Sequence, residues 1–170
     1  MRPLTESDYA PYYRPYMEGL PSQGIMEFLE SQQEEVLRFL QTIPENKWDY
    51  AYAPGKWTIR EVLGHVSDSE IIFGYRALSF ARGESQSLPG YDENEYVKAG
   101  RFNQLSFQEI IQLWLKSRDL NLFLFETIDE QGWENMGTAN GNPMRARAIP
   151  YIIAGHVRHH MRIIKERYLI

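Results

Sequence analysis

Apolar residues recur with the period of an α-helix in four separate segments of the chain. The segments begin near Ser22, near Thr58, near Ser106 and after residue 145, and polar residues occupy the opposite face of each. The first carries Ile25, Phe28, Leu29, Val36, Phe39, Leu40 and Ile43 on one face. The pattern predicts four amphipathic helices of roughly 20 residues that bury their apolar faces against one another.

Local signals mark where several of these helices begin and end. Thr58 and Ser106 are each followed three residues later by a glutamate, which is the capping-box pattern of a helix N-terminus. Pro44 is expected to end the first helix, and Gly83 the second.

The connections between the helices differ in character. Residues 1–21 contain four prolines among four tyrosines, which predicts an irregular arm held by its aromatic side chains and disfavours a regular helix. Residues 83–104 read as a long polar connection, and the turn-rich residues 132–145 allow a short hairpin near 136–146. The fold class is therefore all-α: an up-and-down four-helix bundle in one domain spanning residues 1–170.

Composition narrows the classes of function. The chain has 170 residues, no cysteine and a net charge of −5, with no basic stripe. It therefore lacks disulfides, thiolate metal ligands and a cysteine nucleophile, and no nucleic-acid partner is expected. No signal peptide or apolar run long enough for a membrane span is visible, so we expect a soluble, cytoplasmic protein.

Three histidines are candidates for a metal site. His156 and His160 lie four residues apart, so on a helix they stack one turn above each other within a stripe of isoleucines. His65 lies on the second helix and can approach them if the two helices pack together. A buried neutral imidazole needs a partner, and one metal ion would satisfy all three rings.

Other assignments of these residues stay open. A helical histidine is more often a hydrogen-bonded core or surface residue than a ligand, and His156 with His159 at i, i+3 is a competing chelating pair. His159 falls about 60° from His156, at the edge of the stripe, where it is a candidate general base. Asp68 lies about 60° from His65 around the helix. It is a candidate to accept a hydrogen bond from the second ring nitrogen of a ligating histidine, and the alternative is that it is an exposed acid.

The third helix raises two further questions. Arg118 lies inside the apolar stripe of this helix, so its charge needs a partner. The preferred partner is an internal carboxylate, and the alternative is an anionic substrate. Leu113, Leu120 and Leu124 lie off that stripe and predict a homodimer through the second and third helices, although packing under the arm would use them equally well.

The motifs together resemble the DinB/YfiT-like superfamily of metal-binding four-helix bundles. The resemblance rests on residues 56–65 (Lys-Trp-Thr-Ile-Arg-Glu-Val-Leu-Gly-His), 75–78 (Tyr-Arg-Ala-Leu), 88–92 (Leu-Pro-Gly-Tyr-Asp) and 154–160 (Ala-Gly-His-Val-Arg-His-His). It implies that His65, His156 and His160 bind a divalent ion, foremost nickel or zinc, with iron or manganese as further options.

The resemblance also implies a class of activity. Relatives include thiol S-transferases, a mycothiol-dependent isomerase and proposed metal-dependent hydrolases, so we expect transfer or hydrolysis on a small-molecule substrate. The nucleophile would be a low-molecular-weight thiol or water, oriented near Arg76 or the 83–104 connection. The alternative is a non-catalytic, stress-associated bundle braced by its metal. A di-iron site is disfavoured because no histidine has a glutamate three residues before it.

Overall fold

The computed structural model describes residues 2–169, which form seven helices and one two-stranded hairpin. The helices are α1 (Arg14–Met17), α2 (Ile25–Gln41), α3 (Ile59–Ala81), α4 (Glu93–Gly100), α5 (Phe107–Glu126), α6 (Glu130–Glu134) and α7 (Ile149–Ile163), and the strands are β1 (Met136–Ala139) and β2 (Asn142–Arg145). A π-helical turn, Ile164–Tyr168, continues α7.

The long helices α2, α3, α5 and α7 form the predicted four-helix bundle, which confirms the all-α fold class. Helices α2 and α3 each pack against both α5 and α7. Consecutive long helices α2 and α3 therefore lie at opposite corners of the bundle. This order makes α3 and α7, the two histidine-bearing helices, direct neighbours.

Both predicted capping boxes are present. The Thr58 hydroxyl accepts the backbone N–H of Glu61 at 3.2 Å, and the Glu61 carboxylate accepts the backbone N–H of Thr58 at 2.8 Å. Ser106 and Glu109 repeat the arrangement at 3.2 and 2.7 Å. Each box satisfies N–H groups that the first helical turn leaves without a partner, which is why α3 and α5 begin where the sequence predicts.

A layer of buried polar side chains separates two apolar clusters in the core. At its centre, the guanidinium of Arg118 donates to both carboxylate oxygens of Glu70, at 2.7 and 3.0 Å, and also to the Leu29 carbonyl at 3.1 Å. Gln32 and Asn121 complete the layer through bonds to the Ala154 and Glu70 carbonyls, each at 2.8 Å. The expected carboxylate partner of Arg118 is thereby confirmed, and the layer joins all four long helices.

The two long connections are more ordered than predicted. The segment 83–104 contains α4, which begins after Asp92; the Asp92 carboxylate accepts the backbone N–H groups of Asn94 and Glu95 at 2.9 and 3.1 Å. The arm contains 3-10 turns and the single helical turn α1. The arm is otherwise irregular, as predicted, and α1 tolerates Pro15 because this proline lies in the first turn, where its missing N–H has no cost.

The predicted hairpin is confirmed. Its turn places Asn140 and Gly141 at positive φ, 50° and 70°, as a two-residue hairpin turn requires. Isolated bridges connect Tyr9 of the arm to Met144, and Leu88 to Ala139. The hairpin thus fixes the arm and the segment before α4 against the same end of the bundle.

The surface of α3 and α5 carries exposed apolar side chains. Leu120 is 66% exposed and Phe123 67%, while Leu113 and Leu124 are half-buried. Ile71 and Tyr75 of α3 are 50% and 57% exposed. Among residues 2–169, no helix is both long and apolar enough to cross a membrane.

Candidate metal centre

His65 of α3 and His156 and His160 of α7 bring their ring nitrogens together inside the bundle. The Nε2 atoms of His65 and His156 are 3.1 Å apart, and those of His160 and His156 are 3.2 Å apart. One nitrogen from each ring lies within 4.8 Å of the others. His65 and His156 are buried, at 6% and 7% exposure, and His160 is half-buried.

These separations fit a shared metal ion better than mutual hydrogen bonds. Two nitrogens bound to one ion at about 2.0–2.1 Å lie about 2.9 to 3.4 Å apart, depending on the bond angle. A neutral imidazole nitrogen has one in-plane position for a hydrogen or a lone pair, so His156 Nε2 can form a well-aligned hydrogen bond with only one of its two neighbours. The donor set therefore fits a divalent ion with three imidazole ligands.

Burial keeps these rings uncharged, as metal ligands must be. It lowers the pKa of His65 to about 4, with a further lowering from His159. It lowers the pKa of His160 to about 3, with smaller contributions from His65 and His159. The pKa of His156 is also well below its ordinary value because of burial and then its histidine neighbours. All three rings are therefore neutral at pH 7 and present lone pairs to a cation.

The other predicted site residues occupy different positions. His159 is half-buried at the edge of the site, with its ring 5.8 Å from that of Tyr16, and it is outside the group of converging nitrogens. Asp68 is half-buried, and burial raises the pKa of its carboxyl. Among the described residues, Asp68 forms no hydrogen bond to a histidine ring. Arg76 does line the same cavity as the histidines.

That cavity has a volume of about 250 Å³ and is lined by the three converging histidines. Six of its thirteen lining residues are tyrosine, tryptophan or phenylalanine. Its lining comprises Tyr12, Tyr13, Tyr16, Trp57, His65, Phe73, Arg76, Tyr91, Glu93, Asn140, His156, His159 and His160. The volume suits a small molecule, and the arm, the α4 region and the hairpin turn all contribute to the wall.

The arm reaches the site because α7 has a glycine beside its first histidine. A Cβ atom at Gly155 would lie 1.9 Å from the carbonyl oxygen of Tyr16, so only glycine permits this approach. Arg158 secures the contact by donating to the Glu18 carbonyl oxygen. As a result, the Tyr16 ring packs 5.7 Å from that of His156.

Sequence reasoning missed the aromatic wall. Trp57, whose ring is 4.9 Å from that of His65, immediately precedes the capping box of α3. The arm tyrosines were predicted to hold the arm in place, yet Tyr13 and Tyr16 also line the cavity. The density of tyrosines before α2 was a usable signal for an aromatic surface, but nothing in their spacing indicated which cavity they would line.

Comparison with known proteins places the chain in a family. Residues 29–164 match the sequence profile of the DinB superfamily. The chain belongs to this superfamily. The matched region begins within α2 and ends one residue after α7. It contains most of α2, all of α3, α5 and α7, and the three converging histidines of this DinB-superfamily chain. No curated protein matches the sequence.

Two solved structures of the same fold have low sequence identity to this chain. YfiT from Bacillus subtilis, described as a probable metal-dependent hydrolase with an unusual four-helix bundle topology, is 18% identical. The similarity covers 84% of this chain and 82% of YfiT, with a TM-score of 0.75. The mycothiol-dependent maleylpyruvate isomerase is 17% identical over 86% of this chain and 61% of its own, with a TM-score of 0.70. At these identities the likeness establishes the fold.

Proposed function

We propose that the protein is a divalent-metal-dependent enzyme that acts on a small molecule by thiol transfer or hydrolysis. His65, His156 and His160 would hold the ion. The observation that carries the proposal is the convergence of three uncharged imidazole nitrogens on one wall of a cavity large enough for a substrate. Catalytic metal sites combine three protein ligands with an open position in this way.

The donor set suits activation of a nucleophile. A divalent ion with three neutral ligands keeps its full charge and favours the deprotonated form of a thiol or water in contact with it. Since the chain has no cysteine, a thiol nucleophile must belong to a cosubstrate. Zinc and nickel both accept imidazole ligands, and the absence of carboxylates among the three ligands disfavours magnesium or calcium.

Residues of the chain surround the reacting region. Trp57, Tyr16 and Phe73 pack close to the histidine rings and limit the access of bulk water. His159 lies at the edge of this region, in a position for a general base that exchanges protons with solvent. Burial and then the charges of Arg162 and Arg167 lower its pKa, so the ring is predominantly neutral at pH 7 and able to accept a proton.

The two structural relatives support this class of chemistry. One is described as a metal-dependent hydrolase and the other uses a low-molecular-weight thiol. We therefore expect the reaction of this chain to use one of these two nucleophiles. The alternative, a non-catalytic bundle, has its own support, because an ion held by His65, His156 and His160 would link α3 to α7 and brace the fold.

The test is a pair of activity screens on protein of known metal content. Elemental analysis of the purified protein should give about one divalent ion per chain. Thiol-conjugation and ester- or amide-hydrolysis screens should then show turnover that chelation abolishes and that the readded ion restores. Blank screens at full metal occupancy would favour the bracing role, and turnover undiminished by chelation would contradict the proposal.

A further inference from the structure

Arg76 is a buried arginine without an acidic partner. It is 4% exposed and lines the cavity. Its hydrogen bond, from Nη2 to the Pro89 carbonyl oxygen, is long at 3.4 Å, and it forms no ion pair within residues 2–169. The two other buried arginines, Arg118 and Arg147, are each ion-paired with a glutamate. Glu93, which lines the same cavity, is not ion-paired with Arg76.

A second polar group accompanies Arg76. Tyr13 of the arm is 3% exposed, and its hydroxyl forms no hydrogen bond to the described residues although it lines the cavity. The Tyr13 ring is 6.5 Å from the Phe73 ring, against which the Arg76 guanidinium also packs. Burial raises the pKa of the Tyr13 hydroxyl and the positive charge of Arg76 opposes the shift, so the hydroxyl stays protonated. Both groups line the cavity and can donate hydrogen bonds to an acceptor bound there.

An apolar floor lies between these donors and the histidines. The Phe73 ring is 5.3 Å from the guanidinium carbon of Arg76 and 6.1 Å, between ring centres, from His156. Arg76 is eleven residues after His65 on α3, so it lies on the same helix face about 16 Å further along the axis. Its side chain leans toward the helix N-terminus, which brings the guanidinium nearer to the histidines.

We propose that Arg76 and Tyr13 bind a carboxylate at the far end of an elongated substrate or cosubstrate whose reactive group lies at the three histidines. The inference rests on the proposed function. A carboxylate matches the planar guanidinium fork and accepts the tyrosine hydroxyl, and Phe73 offers an apolar surface to the carbon chain between the two ends. Arg76 is therefore a residue that determines substrate specificity.

Two probes that differ only at their tails test this. Suberic acid monohydroxamate carries a carboxylate at the end remote from its metal-binding group, and octanohydroxamate carries a methyl group there. Calorimetric titration of the metal-loaded protein should show the carboxylate probe binding at least about tenfold more tightly, which is the worth of a charge-assisted hydrogen bond.

Substitutions assign that difference to the named groups. Arg76→Met should remove the preference and leave the affinity for octanohydroxamate unchanged, and Tyr13→Phe should reduce the preference with less risk to folding. Arg82→Met, which removes the same charge from an exposed position at the end of α3, should keep the preference. Circular dichroism and metal content of each variant confirm that it is folded and loaded.

The outcomes separate the inference from the proposed function. Equal affinity for both probes in the parent, or an equal loss for both in Arg76→Met, would overturn the role of Arg76. If octanohydroxamate does not bind the metal-loaded protein, the result contradicts the open metal position on which the proposed function depends. The carboxylate compound is then titrated against metal-free parent and Arg76→Met: tighter binding to the parent supports the carboxylate site, and equal binding overturns it.

Discussion

Acid should destabilise the metal-free protein steeply between pH 7 and pH 5, because the three clustered histidines must be neutral in the folded state. The pKa of His65 is lowered to about 4 and that of His160 to about 3, and the pKa of His156 is also well below its ordinary value. In the unfolded chain each ring titrates near its ordinary pKa of about 6.5. Below that pH the unfolded state binds more protons, so stability falls as pH falls.

The size of the effect at pH 5 does not depend on the folded pKa values in detail, provided that all three lie at or below about 4. A ring that stays neutral when folded and has an unfolded pKa of about 6.5 costs about 2 kcal/mol at pH 5 relative to neutral pH. Three such rings cost about 6 kcal/mol. That loss is comparable to the whole stability of many domains, roughly 5 to 15 kcal/mol.

The assay is urea denaturation in the presence of a chelator at several pH values between 5 and 7.5. The free energy of unfolding should fall as the pH is lowered. Near pH 5 its slope against pH should approach the value for an uptake of three protons on unfolding. Asp8 does not contribute within this pH range. Burial raises the pKa of its carboxyl, but hydrogen bonds with Arg2 and Thr5 outweigh burial and lower the pKa to about 2. The resulting loss of stability therefore begins only below the ordinary pKa of the carboxyl, near 4. Replacing His160 by glutamine should reduce the loss at pH 5 by about 2 kcal/mol.

The half-buried His159 provides the matched control. Replacing His159 by glutamine should change the pH dependence of the free energy of unfolding less than replacing His160 does. A free energy of unfolding that varies by less than about 2 kcal/mol over the range would refute the reasoning, since it would mean that the cluster accepts protons while folded.

Three further predictions concern the scaffold. Arg118→Met should lower the free energy of unfolding by about 3 to 5 kcal/mol because it leaves the Glu70 carboxylate buried without its cation, and urea denaturation should show most of this loss recovered when Glu70→Leu is added. Gly155→Ala should displace the arm by forcing a methyl group against the Tyr16 carbonyl, so limited proteolysis should cleave before α2 faster than in the parent while the helix content is retained. Leu120→Glu should convert the predicted homodimer into a monomer, because it places charge on the exposed apolar surface of α3 and α5. Light scattering measures the mass, and a parent protein that is already monomeric at micromolar concentration would contradict the dimer hypothesis.

The helices were predictable because their signals are local. The capping boxes at Thr58 and Ser106 place backbone donors and side-chain acceptors within four residues of each other, so they act the same way in any tertiary context. The Asn140-Gly141 turn is equally local. Helix α4 was missed although Asp92 followed by Glu95 is a start signal, because the apolar period after it is short, with Val97 its one buried residue.

The histidine cluster was predictable in part. Spacing and phase place His156 and His160 on one face of a helix, and this local relation is present in the structure. The approach of His65 depends on α3 and α7 being neighbours in the bundle, which the resemblance to a family implied and periodicity alone did not.

The remainder of the cavity depends on contacts distant in sequence. Tyr13 and Tyr16 reach it only because Gly155 admits the arm, and Asn140 reaches it through the bridge between Leu88 and Ala139. The position of Asp68 shows the limit of phase arguments: an angle on a helical wheel gives a direction, but a hydrogen bond to a histidine ring also needs the correct distance.

The central claim is that His65, His156 and His160 hold one ion, and metal stoichiometry in four alanine variants tests it most directly. His65→Ala, His156→Ala and His160→Ala should each lose most of the bound metal, since two protein ligands chelate weakly. His159→Ala should retain about one ion per chain, because its ring lies outside the converging nitrogens. Loss of metal in His159→Ala with retention in His160→Ala would contradict the account and assign the ion to the i, i+3 pair.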